Sequence, residues 1–206
     1  MTALAFSRLS KIAPDPWHVA HPGAGNIGYT CHMAAMHWAQ MALGASQMRA
    51  NEIVGVFTRL HCPGCKANGS GVHTSVSTTA YGHLFCRRAV LIPDRNSLHG
   101  MVEVGDVLIA GLAAWPMHTM VLRQKRGAGH ITVRGFNNLG TLGTGERDRY
   151  DPVSHNITQD KYWKDPAAGL FGRSAAPLCV VRHADFMEAS RMLRDEAMRT
   201  GAVPAH

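Results

Sequence analysis

Thirteen histidines and five cysteines among 206 residues supply many nucleophiles, bases and metal ligands, so order and spacing must decide which of them work together. Cys31 closes the glycine-rich run GNIGYTC (25–31) and opens the apolar stretch CHMAAMHWAQMAL (31–43). A thiol in the first turn of a helix sits at the positive end of the macrodipole, which favours the thiolate. The unpaired N–H groups of that turn are also suited to a tetrahedral oxyanion. The spacing therefore predicts a nucleophile ionised near neutrality, with the preceding glycines letting a substrate approach the backbone. The competing reading is a small structural cysteine in the core.

A cysteine nucleophile needs a base, and the base needs a group that fixes its ring. His118 opens the β-rich stretch MHTMVLRQ (117–124), and the following stretch HITVRGFNN (130–138) ends in Asn137 and Asn138. KRGAG (125–129) between them suits a hairpin turn. A neighbouring strand is a natural source for an amide oxygen that accepts the imidazole N–H. His183 and Asp185, read as alternating along the stretch LCVVRHADF (178–186), form a reserve base and orienter, while His155 is read as structural or solvent-facing.

The order of these parts is a cysteine at the head of a buried helix, a Gly-Asp strand (Gly105, Asp106), a strand opening with His118, and a polar residue on the next strand. It resembles the papain-like cysteine hydrolases, especially the compact NlpC-type cell-wall peptidases and related bacterial effector amidases. The resemblance covers roughly residues 25–140 and rests on element order. It implies a helix packed across an antiparallel sheet, Cys31 as nucleophile, His118 as general base and Asn137 or Asn138 as orienter. Asn26 stands near the place of papain's oxyanion-donating glutamine, at a similar but not identical offset. Thr30 and His32 flank the cysteine where NlpC-type enzymes carry Asp and Ser. The resemblance implies hydrolysis of an amide bond, in a peptidoglycan peptide or a protein, by a bacterial toxin or effector countered by an immunity protein. Deamidation or acyl transfer would use the same triad.

A second constellation is HCPGCK (61–66) followed by GHLFC (82–86). Cys62, Cys65, His83 and Cys86 have the spacing of a closed tetrahedral zinc site, with His61 and His73 as alternative ligands. Such a site would be structural, and catalysis itself needs no cofactor. A disulfide within CPGC or to Cys86, a redox dithiol and free thiols are the other readings. A zinc-stabilised, non-catalytic basic module is the functional alternative from a different class. GTLGTGERDRYDP (140–152) lacks the GK[ST] of a phosphate loop and reads as a loop bordering the cleft.

The elements that must position these groups can also be read. Residues 1–24 carry Pro14, Pro16 and Pro22 and read as an irregular arm. A mostly buried helix runs from Thr30, its N-cap, to Gly44, and a second helix covers 46–59. Residues 61–86 form the Cys/His-containing insertion, in which 72–86 reads as a strand or extended loop. DRNSLHG (94–100) reads as a turn or a single helical turn, VEVGDVLIAG (102–111) as a strand, 139–177 as loop-rich and 187–199 as an amphipathic helix ending at Gly201. Helices first, then strands, then a closing helix is an α+β order, a single domain with a mainly antiparallel sheet. Twenty-one Lys and Arg against fourteen Asp and Glu give a formal charge of +7. RR (87–88) and RQKR (123–126) are the only basic clusters, so a solvated basic surface is expected rather than dedicated nucleic-acid binding. No run approaches a membrane span. The first residues lack the pattern of a cleaved signal, which predicts cytoplasmic synthesis, with release through a specialised secretion system.

Overall fold

The computed structural model describes residues 2–10, 12, 18–21, 25–28, 31–61, 86–93, 95–112, 115–125, 131–135 and 178–200. In chain order the elements are α1 (Ala3–Leu9), β1 (His18–His21), β2 (Gly25–Gly28), α2 (Cys31–Ala42), α3 (Gln47–His61), a short 3-10 turn (Cys86–Arg88), β3 (Val90–Ile92), α4 (Arg95–Met101), β4 (Val107–Leu112), β5 (Trp115–Lys125), β6 (Ile131–Gly135), β7 (Leu178–Val181) and α5 (His183–Arg199). This is an α+β architecture. Five strands form one sheet in the order β3-β7-β4-β5-β6, and every neighbouring pair is antiparallel. The hairpin read between His118 and Asn138 is present as β5 and β6, in register from Lys125↔Ile131 to Met120↔Gly135.

Side-chain alternation gives the sheet two apolar faces. On one face Val107, Ile109, Val121 and Val181 pack with α1, α2, α3 and α5. On the other, Leu108, Met120, Leu122, Val133 and Val180 pack with Leu98 of α4 and with Val102. The helix α2 is enclosed by α1, α3, α5 and the strands β5 and β6. That enclosure explains its composition: every residue but Met41 is buried, so the helix is apolar around most of its circumference rather than along one stripe. Its C-terminus is closed by Gly44, at φ 96°. Gly44 N–H donates to Met41 O, and Ala45 N–H donates to Gln40 O, the paired bonds of a Schellman cap. The second helix follows at once, with the Ser46 hydroxyl accepting from Arg49 N–H.

Two expectations for the first residues change. Residues 3–9 form a helix, with Thr2 accepting from Ala5 N–H as its N-cap. Phe6 is fully buried, 5.8 Å from the Phe186 ring. An apolar ring so placed outweighs the weak helix signal of a seven-residue segment. The sequence GNIG, whose glycines are expected to let a substrate approach the backbone, is strand β2, paired with β1 from His18↔Gly28 to His21↔Gly25. A third change concerns the basic run RQKR. Arg123 is only 8% exposed. It lies under α1, where its guanidinium donates to Ser7 O at the negative end of the helix. Residues Arg95–Met101 form nearly two turns of helix, α4.

The Gly-Asp pair at the head of β4 joins several elements. Gly105 adopts φ 93°, and a Cβ there would lie 2.6 Å from Ala3 O, so only glycine fits under α1. Asp106 is 3% exposed. Its carboxylate accepts from Glu103 N–H at 2.9 Å, from the Arg182 guanidinium at 2.8 Å and from His183 N–H at 2.9 Å. His183 is the first residue of α5, whose N-cap Arg182 makes no side-chain cap bond. Asp106 therefore caps α5 from another strand and meets its positive dipole end. Asp106→Ala leaves three donors without their acceptor, two of them backbone groups, and is expected to destabilise the protein by about 2–4 kcal/mol in urea unfolding. Arg182→Ala should cost less, because that side chain is 46% exposed.

Candidate active site

Cys31 is the first residue of α2 and is 7% exposed. The helix lies against β5, so its N-terminus faces Thr119 across the core. The Cys31 sulfur is 3.8 Å from Nδ1 of His32. That same nitrogen is 2.7 Å from the Thr119 hydroxyl. Both His32 and Thr119 are buried. The sulfur, an imidazole nitrogen and a hydroxyl thus form one connected group, held by a helix terminus and a strand interior.

The electrostatics differ from the sequence expectation. Burial pushes the Cys31 thiol up to about 12, although backbone N–H groups of Thr119, His32 and Cys31 favour the thiolate. The rise from 9.0 corresponds to about 4 kcal/mol in favour of the neutral thiol. Desolvation thus outweighs the helix N-terminus, and the thiol is protonated at rest. The expectation of a thiolate near neutrality is corrected accordingly. Cys179, the other free cysteine among the described residues, is also buried, and burial raises its pKa too.

The remaining predicted residues fall as follows. His118 lies on β5 immediately before Thr119, with its backbone paired to Ala110, beside a register shift between Ala110 and Gly111. Asn26 lies on β2, its backbone opposite Ala20. The side chains of His118 and Asn26 are outside the described residues, as are Asn137, Asn138, His155 and the proposed N-cap Thr30. Of the zinc constellation, Cys62, Cys65, His73 and His83 lie outside the described residues, and only the backbones of His61 and Cys86 are within them. His183 and Asp185 do not alternate along a strand. β7 ends at Val181, and both belong to the first turn of α5. Two residues apart on a helix they do not share a face, so the reserve pair is withdrawn. The His183 ring packs 5.6 Å from Phe6, and burial lowers its pKa.

Sequence reasoning missed His32 and Thr119. The signals were present: His32 directly follows the cysteine within the first helical turn, and Thr119 directly follows the histidine chosen as base. The chain has no match among known protein families, curated proteins or solved structures.

A further histidine in α2 couples this helix to pH. His37 is fully buried, and burial lowers its pKa from 6.5 to about 4. Above pH 6.5 the ring is neutral in both folded and unfolded chains and contributes no pH dependence. Below that, the unfolded chain takes up a proton that the folded protein refuses until about pH 4. Stability should therefore fall with pH between about 6.5 and 4, by about 3 kcal/mol in total from this group. Urea unfolding at pH 7.0, 5.5 and 4.5 measures the slope, and His37→Asn should flatten it.

Proposed function

We propose that this protein is a thiol-dependent amide hydrolase of the papain-like kind, with Cys31 as its nucleophile. The observation that supports this most is the place of the sulfur. It sits at the N-terminus of a buried helix laid against an antiparallel sheet, beside backbone N–H groups of Cys31, His32 and Thr119. In this reading Cys31 attacks the amide carbonyl carbon, and the developing oxyanion is stabilised by N–H groups of the helix terminus. A histidine takes the thiol proton and returns it to the departing amine. Water then hydrolyses the thioester. The sequence order nominates His118 for the base and Asn137 or Asn138 for its orienter, with Asn26 as a side-chain donor to the oxyanion.

The neutral resting thiol shapes this mechanism. No preformed thiolate waits for substrate, so the proton must leave sulfur in step with attack, as general-base catalysis permits. The same neutrality supports the rival reading of Cys31 as a core residue without chemistry. Substrate classes consistent with the charge of +7 are a peptide linkage in an anionic cell-wall polymer or an amide on an acidic protein surface. A bacterial effector released by a specialised secretion system, with an immunity protein in the producer, is the setting we attach to this reading. Deamidation or acyl transfer would need only a different acceptor for the same acyl-thiol.

Cys31→Ala is expected to abolish amide cleavage of peptidoglycan or protein substrates, and any toxicity, while leaving circular dichroism and unfolding unchanged to within about 1 kcal/mol. Full biological effect in the Ala variant would overturn the reading. Full effect there together with stoichiometric zinc bound through Cys62, Cys65, His83 and Cys86 would favour the non-catalytic basic module instead.

A further inference from the structure

We infer that His32, the residue next to the nucleophile, is the proton acceptor for Cys31, and that the Thr119 hydroxyl positions its ring. This rests on the hydrolase reading of Cys31 and changes which histidine serves as base. Geometry is the first reason. Nδ1 of His32 is 3.8 Å from the Cys31 sulfur, within the range of a weak S–H···N contact that shortens as the thiol ionises. The second reason is the partner of that nitrogen. Thr119 Oγ1 lies 2.7 Å away, and a hydroxyl is both donor and acceptor. While the ring is neutral the hydroxyl hydrogen can turn away and leave the single Nδ1 lone pair to the thiol, and once the ring has taken the proton the hydroxyl oxygen accepts from Nδ1–H. The third reason is burial. Both partners are held in the core, where the charge on the imidazolium is offset by the oxyanion that forms as sulfur attacks.

The proton balance is closed within the site. The Cys31 S–H bond breaks as sulfur bonds to the carbonyl carbon, and the proton passes to His32 Nδ1. Collapse of the tetrahedral oxyanion breaks the C–N bond, and His32 returns the proton to the leaving amine. A water then attacks the thioester and gives one proton to His32. The C–S bond breaks, the acid product leaves, and that proton returns to sulfur.

The test is the second-order rate of Cys31 alkylation by iodoacetamide at pH 7.5, read by peptide mass spectrometry on folded protein, with Cys179 as internal reference. In the wild type, Cys31 should react faster than Cys179. His32→Gln should slow Cys31 about tenfold or more, and by more than His118→Ala does. Thr119→Val should slow it as well, and Thr119→Ser, which keeps the hydroxyl, should restore the rate. The Thr119 pair decides the matter if His32→Gln does not fold. If His118→Ala abolishes the reaction while His32→Gln and Thr119→Val leave it unchanged, the assignment to His32 fails and the hydrolase reading survives. A wild-type Cys31 no more reactive than Cys179 overturns both.

Discussion

The carboxylate of Asp106 is the interaction on which the rest of the structure depends. Two segments far apart in sequence donate to it: the turn before β4, through Glu103, and the junction between β7 and α5, through Arg182 and His183. Backbone bonds of Asp106 and its neighbour Gly105 tie the same point to β5, through Leu122 N–H to Asp106 O and Gly105 N–H to Leu122 O. The start of β4, the run of β5 and the entry angle of α5 are thereby set together. Since α5 and β5 both enclose α2, the depth of the Cys31 thiol follows from this junction as much as from α2 itself. An acidic group in that place is stable because its neighbours are N–H donors, a guanidinium and a helix dipole, each of which compensates for lost hydration.

Enclosing α2 has opposite effects on the fold and on the chemistry. Burying Met33, Met36, Trp38 and the alanines around them contributes apolar area on every side of the helix. The same exclusion of water raises the thiol pKa and lowers that of His37. Three backbone amides at the sulfur cannot reverse a desolvation cost of that size. The helix terminus still has a role, because its N–H groups act on charge as it develops rather than on charge already present. A site built this way holds a neutral thiol at rest, and its reactivity depends on a base that takes the proton as sulfur attacks.

How far these features can be read from sequence depends on the kind of signal each one leaves. The helix from Cys31 to Ala42 was legible because its apolar residues cover the circumference, and Gly44 marked its end through a conformation that other residues resist. The β5–β6 hairpin was legible from two β-branched runs and a glycine-containing link. The first helix was not, because seven residues give too short a period to read and the decisive fact, Phe6 against Phe186, is a contact across the whole chain. Arg123 misled for a related reason: its charge reads as surface, while its partner is the end of a helix that the sequence did not announce. His183 and Asp185 misled through a boundary, since a strand ending two residues earlier converts alternation into helical spacing. Within the candidate site, Cys31 was legible and the His32–Thr119 contact was not, because adjacency in sequence says nothing about which way a ring turns.

The place of β7 has a consequence for how the chain is made. This strand lies between β3 and β4, yet it is the last strand in sequence among the described residues. Until residues 178–181 emerge from a ribosome, one edge of β4 lacks its partner, and β3 has nothing to join. Closure of the sheet then pairs segments separated by some seventy to ninety positions, a high contact order that slows folding and prolongs exposure of an unpaired edge. The four residues that complete the sheet are all buried and apolar, so the step is strongly driven once they arrive. Sheet closure thus inserts a wedge, and an N-terminal fragment that stops short of residue 178 lacks the strand that joins β3 to the rest of the sheet.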